Sequence, residues 1–289
     1  MIEPNKIYCE NCLDTMSRMP DGFVDLTVTS PPYNMNLRIR GGVYCSRQIV
    51  DEFSSKYVGF SDNVPIDKFY VLHRKILSEL LRVSKIIFYN IQIVTGSKRA
   101  FFKIIGDFSE NIKDVIVWDK GCGQPSMHES VLNKRSELIL IMERSDKAIS
   151  RSFEKCNFER GEISDLWDIG RKKIDKFKNH GAAFTESMAG RIIKYFSNEG
   201  DLIYDPFMGS GTTAKMAHLM KRNWIGSEIS QEYVDLANKR LKKYLDQTDL
   251  FTPDKTNGKS HGEQSDIFTR IVLDGRNSKS ELKQEKVIL

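Results

Sequence analysis

The sequence lacks the features that mark membrane proteins and secreted proteins. No apolar run among its 289 residues approaches the roughly 18 residues of a membrane-spanning helix. The N-terminal stretch, MIEPNKIYCENC, has neither the basic start nor the apolar core of a secretory signal. These absences predict a cytoplasmic location.

Cysteine is scarce and unevenly placed. Of the five cysteines, only Cys9 and Cys12 stand at C-x-x-C spacing, and no second pair supplies the other two ligands of a tetrahedral zinc site. An odd, scattered set of cysteines is typical of reduced thiols in a cytosolic protein. We therefore expect no structural metal.

The chain also lacks a strong excess of charge of either sign. It has 44 basic and 39 acidic residues, and its net charge is +5. A mildly basic chain can bind a phosphate-rich partner, but many basic enzymes bind no nucleic acid. Charge alone therefore defines no partner.

What the sequence does contain is a regular alternation of apolar strands and amphipathic helices. This alternation predicts an α/β fold with a doubly wound, mostly parallel sheet that is covered on both faces. Ligands bind such sheets at the carboxyl ends of the strands. The predicted strands lie at residues 7–8, 23–29, 86–89, 115–118, 138–141, 202–204 and 224–226, and the predicted helices at 13–19, 66–82, 97–105, 185–197, 212–221 and 231–244.

Three segments interrupt this alternation. Residues 34–64 show no periodicity and indicate a long, mobile loop, and residues 144–180 are strongly charged. Residues 246–289 are polar and indicate a partly disordered or loosely docked tail. We therefore expect one catalytic domain over residues 1–245 and a C-terminal tail.

A glycine loop follows the strand at residues 202–204. Gly209–Ala214 satisfies the pattern G-x-G-x-x-G/A, in which glycine lets the backbone turn tightly and approach a ligand. Glu228 stands at the end of the next strand, where an acidic side chain can accept the hydroxyls of a ribose. The combination predicts a cofactor that contains adenosine, although a ligand-free turn at the start of a helix has the same pattern.

The neighbours of the glycine loop bear on which cofactor is bound. The loop does not continue into the Gly-Lys-Ser/Thr of a nucleotide triphosphate site. A dinucleotide would place its pyrophosphate over the helix N-terminus. Asp205 precedes the glycines, and its carboxylate suits a positive ammonium better than a pyrophosphate. These features favour S-adenosylmethionine over a nicotinamide dinucleotide, which stays an alternative.

A proline turn follows the strand at residues 23–29. Ser30–Tyr33 reads Ser-Pro-Pro-Tyr, and two prolines prevent further strand pairing. Taken alone, the turn would indicate a polyproline ligand or a simple strand end. Together with Asp205–Thr213, which reads DPFMGSGTT, the turn resembles the amino-DNA methyltransferase family in its β-type order. A third block, His180–Met188, is similar to that family's segment ahead of the cofactor loop, although it lacks both prolines.

The resemblance implies how the site would work. An exocyclic amine is a poor nucleophile, and the side-chain oxygen of Ser30 and the carbonyl of Pro31 would accept its N–H groups while Pro32 keeps the turn rigid. Tyr33 would stack on the face of a base that has left the duplex. No metal is needed. The cofactor residues that the resemblance implies are Asp14, Phe184, Glu186, Ser187, Asp205, Pro206, Phe207, Gly209, Ser210, Gly211, Thr212 and Glu228. Asp14 could equally be an exposed helix carboxylate, and Phe184 could be a buried aromatic without a ligand.

The target base is less sharply defined by the resemblance. The family's cytosine-N4 enzymes mostly carry Ser before Pro-Pro-Tyr, whereas its adenine-N6 enzymes mostly carry Asp or Asn. Ser30 therefore favours cytosine-N4, with adenine-N6 as the alternative. Methylation at carbon 5 of cytosine would require the Pro-Cys pair of that other family, and no cysteine here follows a proline.

Duplex DNA is the partner that the resemblance implies, and such enzymes commonly act beside a restriction endonuclease. Residues 34–64 and 144–180 are the candidate target-recognition segments. The basic run from Arg171 to Lys178 could equally be a solvated face. Lys120, Gln124 and His128 fit a surface loop and receive no role. A DNA-binding protein without catalysis is the remaining alternative.

Overall fold

The computed structural model describes residues 2–34, 38–40, 43–45, 52–53, 64–94, 96–124, 130, 132–170 and 184–244. The predicted tail at residues 246–289 lies outside the described residues. The same is true of the basic run at residues 171–180, and of most of the segment at residues 34–64.

An eight-stranded sheet forms the centre of the described structure. In chain order the strands are β1 (Lys6–Cys9), β2 (Val24–Thr29), β3 (Arg38–Arg40), β4 (Val43–Cys45), β5 (Glu52–Phe53), β6 (Ser84–Ile91), β7 (Ile112–Gln124), β8 (Lys134–Met142), β9 (Leu166–Asp168), β10 (Leu202–Asp205) and β11 (Asn223–Glu228). The order in the large sheet is β1-β11-β10-β2-β6-β8-β7-β9. All neighbours pair in parallel except β8, which is antiparallel to both β6 and β7.

Helices cover both faces of this sheet. They are α1 (Cys12–Ser17), α2 (Ile66–Val83), α3 (Lys98–Asp107), α4 (Ser145–Ala148), α5 (Glu186–Phe196), α6 (Thr212–Leu219) and α7 (Gln231–Leu241). Successive residues of β6 point to opposite faces. Phe88 packs on Phe196 of α5, with ring centroids 4.5 Å apart, whereas Tyr89 contacts His73 of α2. The predicted doubly wound, mostly parallel α/β fold is confirmed.

Part of the charged segment at residues 144–180 belongs to the sheet. β9 pairs with β7, and Trp167 within it is fully buried. Lys155 lies 2.8 Å from Asp201 and 3.3 Å from Asp25, near the starts of β10 and β2. Residues around 155 therefore lie at the amino-end edge of the sheet, opposite the edge where β2 ends. The DNA contact predicted for this segment would therefore have to come from residues 171–180, which lie outside the described residues.

The segment at residues 34–64 was predicted as a loop without regular structure. This prediction is wrong for the residues described, because β3 pairs antiparallel with both β4 and β5 in a separate small sheet. Strands of two or three residues are too short to show an alternating pattern in the sequence.

Two further features of the described residues concern membrane spans and the Cys9–Cys12 pair. Among the described helices, none has the length and apolar character needed to cross a bilayer. Of the Cys9–Cys12 pair, Cys12 is buried, and burial raises the pKa of its thiol to about 12. A raised pKa disfavours the thiolate that binds a metal.

Candidate active site

The proline turn and the glycine loop leave the sheet side by side. β2 and β10 are parallel neighbours, with Ile203 opposite Leu26. Each motif begins directly after its strand, so both lie at the carboxyl-end edge. The last residue of β2 joins them, because Thr29 Oγ1 donates a hydrogen bond of 2.8 Å to Asp205 Oδ1. The edge therefore brings together two segments that are about 175 residues apart in the chain.

Asp205 anchors this junction. Its Oδ1 also accepts from the backbone N–H of Phe207 at 3.0 Å, and its Oδ2 accepts from Thr213 Oγ1 at 2.7 Å. Burial raises the pKa of the Asp205 carboxyl to about 6, although these hydrogen bonds act in the opposite direction. Three of its roughly four acceptor positions are thus occupied within the protein. One acceptor position remains for the predicted contact with the ammonium of the cofactor.

The glycine loop turns through two left-handed residues before α6 begins. Gly209 has φ +51° and Gly211 has φ +80°. A Cβ atom on Gly211 would lie 3.1 Å from the Cβ of Ala237 in α7. Both the backbone conformation and the close approach of α7 therefore favour glycine at this position.

Glu228 faces the glycine loop from the end of β11. Its Oε2 accepts from the N–H of Gly209 at 2.9 Å and its Oε1 accepts from the N–H of Ser230 at 3.0 Å. Burial raises the pKa of the Glu228 carboxyl. Cys9, the last residue of β1, lies opposite Glu228 in the sheet. α1 follows β1 in the chain, so Asp14 in the first turn of α1 also lies near this edge of the sheet. Its side chain is exposed.

Glu186 braces the glycine loop from the start of α5. Its Oε1 accepts from Lys215 Nζ at 2.8 Å and from Arg240. Arg240 also donates to the carbonyl of Ser210 at 3.1 Å. Burial alone would raise the pKa of Glu186, but Lys215 and Arg240 hold it below its ordinary value. A role of Glu186 in contacting the cofactor stays a prediction.

The other residues predicted for the cofactor site surround this loop. Phe184 is half-buried and meets Trp118 edge-on, with ring centroids 6.2 Å apart. Ser187 is half-buried in the first turn of α5. Thr212, 8% exposed, begins α6.

Ser30 and Tyr33 belong to a buried polar cluster. The Tyr33 hydroxyl lies 2.6 Å from Ser30 Oγ, 2.6 Å from Asn90 Nδ2 and 3.0 Å from Glu137 Oε2. Only 2% of Tyr33 is exposed. The ring of Tyr33 is thus covered in this structure, and its stacking on an extruded base, which the resemblance implies, stays a prediction.

Asn34 fixes the end of the turn. Its side-chain Nδ2 donates to the carbonyl of Val64 at 2.9 Å and to that of Gly96 at 3.1 Å, and its Oδ1 accepts from the N–H of Val64 at 2.8 Å. The backbone of Asn34 has φ +52°, a conformation that asparagine tolerates better than most residues. These contacts tie the turn to the segment that leads into α2.

Three members of the cluster were missed by the sequence analysis. Lys120, for which a surface loop was as good an interpretation as any other, is only 4% exposed and pairs with Glu137 at 3.0 Å. Asn90 donates to Glu137 Oε2 at 2.7 Å. The sequence shows only that Glu137 directly precedes the apolar strand at residues 138–141 and that Lys120 stands two residues after the strand at residues 115–118. Their approach depends on the pairing of β7 with β8, which places Trp118 opposite Glu137.

Three features together define a methyltransferase of the S-adenosylmethionine-dependent class. They are the mostly parallel sheet, the glycine loop with the acidic residue at the end of the next strand, and the adjacent proline turn. A family model for DNA methylases of the N6/N4 type matches residues 24–239. The chain therefore belongs to the N6/N4 DNA methylase family. This confirms the family that the motifs resembled and the predicted methyl donor, and it excludes the dinucleotide oxidoreductase.

Individual relatives agree with this membership. The type II methyltransferase M.HinfI of Haemophilus influenzae is 28% identical over 262 residues, which cover 83% of this chain and 68% of that protein. M.BglII of Bacillus subtilis is 26% identical over 283 residues, which cover 87% and 73%. The orphan methyltransferase M.BamHII of Bacillus amyloliquefaciens is 52% identical over 92 residues, but the match spans only 30% of this chain and 35% of that relative.

Solved structures share the fold. The PvuII DNA methyltransferase (cytosine-N4-specific) superposes with a TM-score of 0.61 at 16% identity, covering 95% of this chain and 94% of that one. The DNA modification methylase TTHA0409 of Thermus thermophilus, in complex with S-adenosyl-L-methionine, superposes with a TM-score of 0.55 at 18% identity, covering 83% and 96%. At these identities the likeness concerns the architecture.

Proposed function

We propose that this enzyme transfers a methyl group from S-adenosylmethionine to the N4 amine of cytosine in duplex DNA. The observation that carries the proposal is the junction between the two motifs, in which Thr29 binds Asp205 and so holds the serine turn beside the glycine loop. The choice of cytosine depends on Ser30 at the head of the turn. Adenine-N6 is the alternative within the same family.

The residues present fit the cofactor. Gly209 leaves the loop without a side chain where a ligand would approach, since a Cβ atom there would meet only the carbonyl of Phe207, at 3.9 Å. Glu228 accepts one N–H on each carboxylate oxygen from Gly209 and Ser230, so it retains acceptor positions that suit the two hydroxyls of a ribose. S-adenosylmethionine supplies a methyl group already activated by a positive sulfonium, so no metal or covalent intermediate is required.

The turn provides the acceptors for the amine of the base. An exocyclic amine becomes a better nucleophile when hydrogen-bond acceptors draw its N–H groups out of the plane of the ring. We assign this role to Ser30 Oγ and the carbonyl of Pro31, which lie at a strand end that the two prolines keep rigid. Asn90 Oδ1 supports a site for an N–H donor, because it is buried beside them and has no partner among the described residues.

DNA would approach this edge of the sheet. The segment at residues 34–64 begins directly after the turn, and the segment at residues 171–183 connects the end of β9 with the start of α5. Both connections start or end at the carboxyl-end edge. Lysines and arginines at residues 171–178 would contact phosphates there. M.HinfI and M.BglII are both type II methyltransferases, which supports a role of this enzyme in restriction and modification.

The proposal is tested by identifying the methylated nucleoside. The protein is incubated with S-adenosylmethionine and DNA of mixed sequence, the DNA is digested, and the nucleosides are separated by mass spectrometry. We expect N4-methylcytosine from the wild-type protein and none from Ser30→Ala, which should still bind the cofactor. Methyladenine alone would establish the adenine alternative, and no methylated nucleoside would refute the proposed activity.

A further inference from the structure

A charged pair lies buried beside the catalytic turn, although methyl transfer to an amine does not itself require one. Lys120 is 4% exposed and Glu137 is 2% exposed, and Lys120 Nζ lies 3.0 Å from Glu137 Oε1. Removing two charges from water is costly, and an apolar pair of similar volume often stabilises a fold as well or better. The position of this pair therefore points to a role at the turn.

The second oxygen of the carboxylate faces the turn. Glu137 Oε2 accepts from the Tyr33 hydroxyl at 3.0 Å and from Asn90 Nδ2 at 2.7 Å. Ser30 Oγ also contacts the Tyr33 hydroxyl, at 2.6 Å. The carboxylate thus connects the β7–β8 hairpin to the turn after β2 through one tyrosine.

The chemistry of these groups fixes the direction of the hydrogen bonds. A carboxylate only accepts, so the single proton of the Tyr33 hydroxyl is donated to Glu137. The tyrosine oxygen must then accept in its contact with Ser30, and the serine proton is directed to Tyr33. One lone pair of Ser30 Oγ accepts a long hydrogen bond from Asn90 Nδ2 at 3.4 Å, and the other is left to accept an N–H from a base.

We propose that Glu137 is a positioning residue that, through Tyr33, fixes Ser30 as a hydrogen-bond acceptor for the target amine. Lys120 holds the other oxygen of the carboxylate and so fixes its orientation. The inference rests on the proposed function, because it assigns a role within the same transfer reaction.

Glu137→Gln tests the direction of these bonds with little change of shape. The glutamine amide can donate to the Tyr33 oxygen, so that Tyr33 donates to Ser30 and the serine proton is turned towards the amine. We expect kcat to fall roughly 10- to 100-fold, because misorientation of one reacting group costs about this much. The dissociation constant for S-adenosylmethionine and the KM for DNA should stay within about twofold, since neither ligand loses a direct contact.

A matched control separates this effect from the loss of a buried charge. Lys113 and Glu143 form a second buried pair on the same hairpin, 2.8 Å apart, with side chains 2% and 8% exposed. They lie at the start of β7 and just after β8, at the edge opposite the turn. Glu143→Gln also leaves a buried lysine unpaired, so its melting temperature should fall, while its kcat should match that of the wild type.

Tyr33→Phe provides a second variant that leaves both ion pairs intact. It removes the hydroxyl between Glu137 and Ser30 but keeps the ring, and kcat should fall by a similar factor. If both residues act through the same bond, the double variant Tyr33→Phe, Glu137→Gln should be no more than about threefold slower than the slower single variant. If Glu137→Gln does not fold, the turnover of Tyr33→Phe alone decides the matter.

The outcomes are distinguishable. Wild-type turnover in Tyr33→Phe, fully multiplicative losses in the double variant, or an equal loss of kcat in Glu143→Gln would overturn the role of Glu137. In each of these cases the wild-type protein still methylates DNA. A wild-type protein that transfers no methyl group to DNA would instead refute the proposed function, and this inference with it.

Discussion

The hydrogen bond between Thr29 and Asp205 joins the two motif segments, and its removal should have a cost that depends on pH. Thr29 is 1% exposed and donates to Asp205 Oδ1 at 2.8 Å. Thr29→Val keeps the shape of the side chain and removes the donor. A hydrogen bond to a charged group contributes about 1.5–3 kcal/mol, and the free energy of unfolding should fall by this amount when Asp205 is ionised.

The pH dependence follows from the raised pKa of Asp205. Burial raises this pKa from 3.8 to about 6. The protonated carboxyl therefore favours the folded state at low pH, and this contribution is lost as the pH rises from about 4 through about 6. Loss of the Thr29 donor raises the pKa of Asp205 further. The destabilisation by Thr29→Val should therefore be largest at pH 8 and should shrink at pH 5.

Thr27→Val on the same strand is the matched control. Thr27 is fully buried, and its hydroxyl bonds the neutral hydroxyl of Ser84 at 2.8 Å. A neutral hydrogen bond contributes about 0.5–1.5 kcal/mol, without a titrating partner in this pH range. Both variants would be compared with the wild type by urea unfolding at pH 5 and pH 8, provided that the m values agree. Equal destabilisation by Thr29→Val at both pH values, or no more than that of Thr27→Val, would refute the proposed charged bond.

Three further predictions concern the ligand sites. Glu228→Gln should weaken the binding of S-adenosylmethionine about tenfold, or roughly 1.4 kcal/mol, because an acceptor for the ribose hydroxyls becomes a donor. The affinity is measured by calorimetry, and an unchanged affinity would exclude Glu228 from the site. Gly211→Ala should lower the free energy of unfolding by roughly 1 kcal/mol or more beyond the effect of Gly22→Ala. Both glycines have a positive φ, but only at Gly211 would a Cβ atom lie 3.1 Å from Ala237. Equal losses in the two variants would contradict the close approach. DNA affinity should fall about tenfold or more from roughly 50 to 200 mM salt, and an affinity independent of salt would argue against phosphate contacts.

The long elements of the fold could be predicted from the sequence because their patterns are local. α2 is predicted at residues 66–82 and spans Ile66–Val83, because its apolar residues recur on one face along the whole helix. β2 and β10 were identified by runs of β-branched and apolar residues before a proline turn and a glycine loop. In each case the residues that define the element also define where it ends.

Short elements left no such pattern. α4 has four residues and β9 has three, so each is little longer than one repeat of its own period and too short for an apolar pattern to be recognised. β9 nevertheless buries Trp167 and forms the edge of the large sheet. Its pairing with β7 is a tertiary contact, and the local sequence around residue 167 does not indicate it.

The candidate site divides in the same way. The turn at Ser30 and the loop at Gly209 could be found because each is a contiguous motif. Glu137 and Lys120 could not be assigned, because their burial depends on the register between two strands. The hydroxyl of Tyr33 was likewise assigned no partner, since Asn90 and Glu137 reach it from two different strands.

The position of the methyl donor between the glycine loop and the serine turn is tested most directly by a crystal structure with S-adenosylmethionine bound. We predict that the ribose hydroxyls contact Glu228, and that the ligand lies on the side of the glycine loop that faces Ser30. A ligand bound at another edge of the sheet, or separated from Ser30 by the body of the sheet, would contradict the shared site.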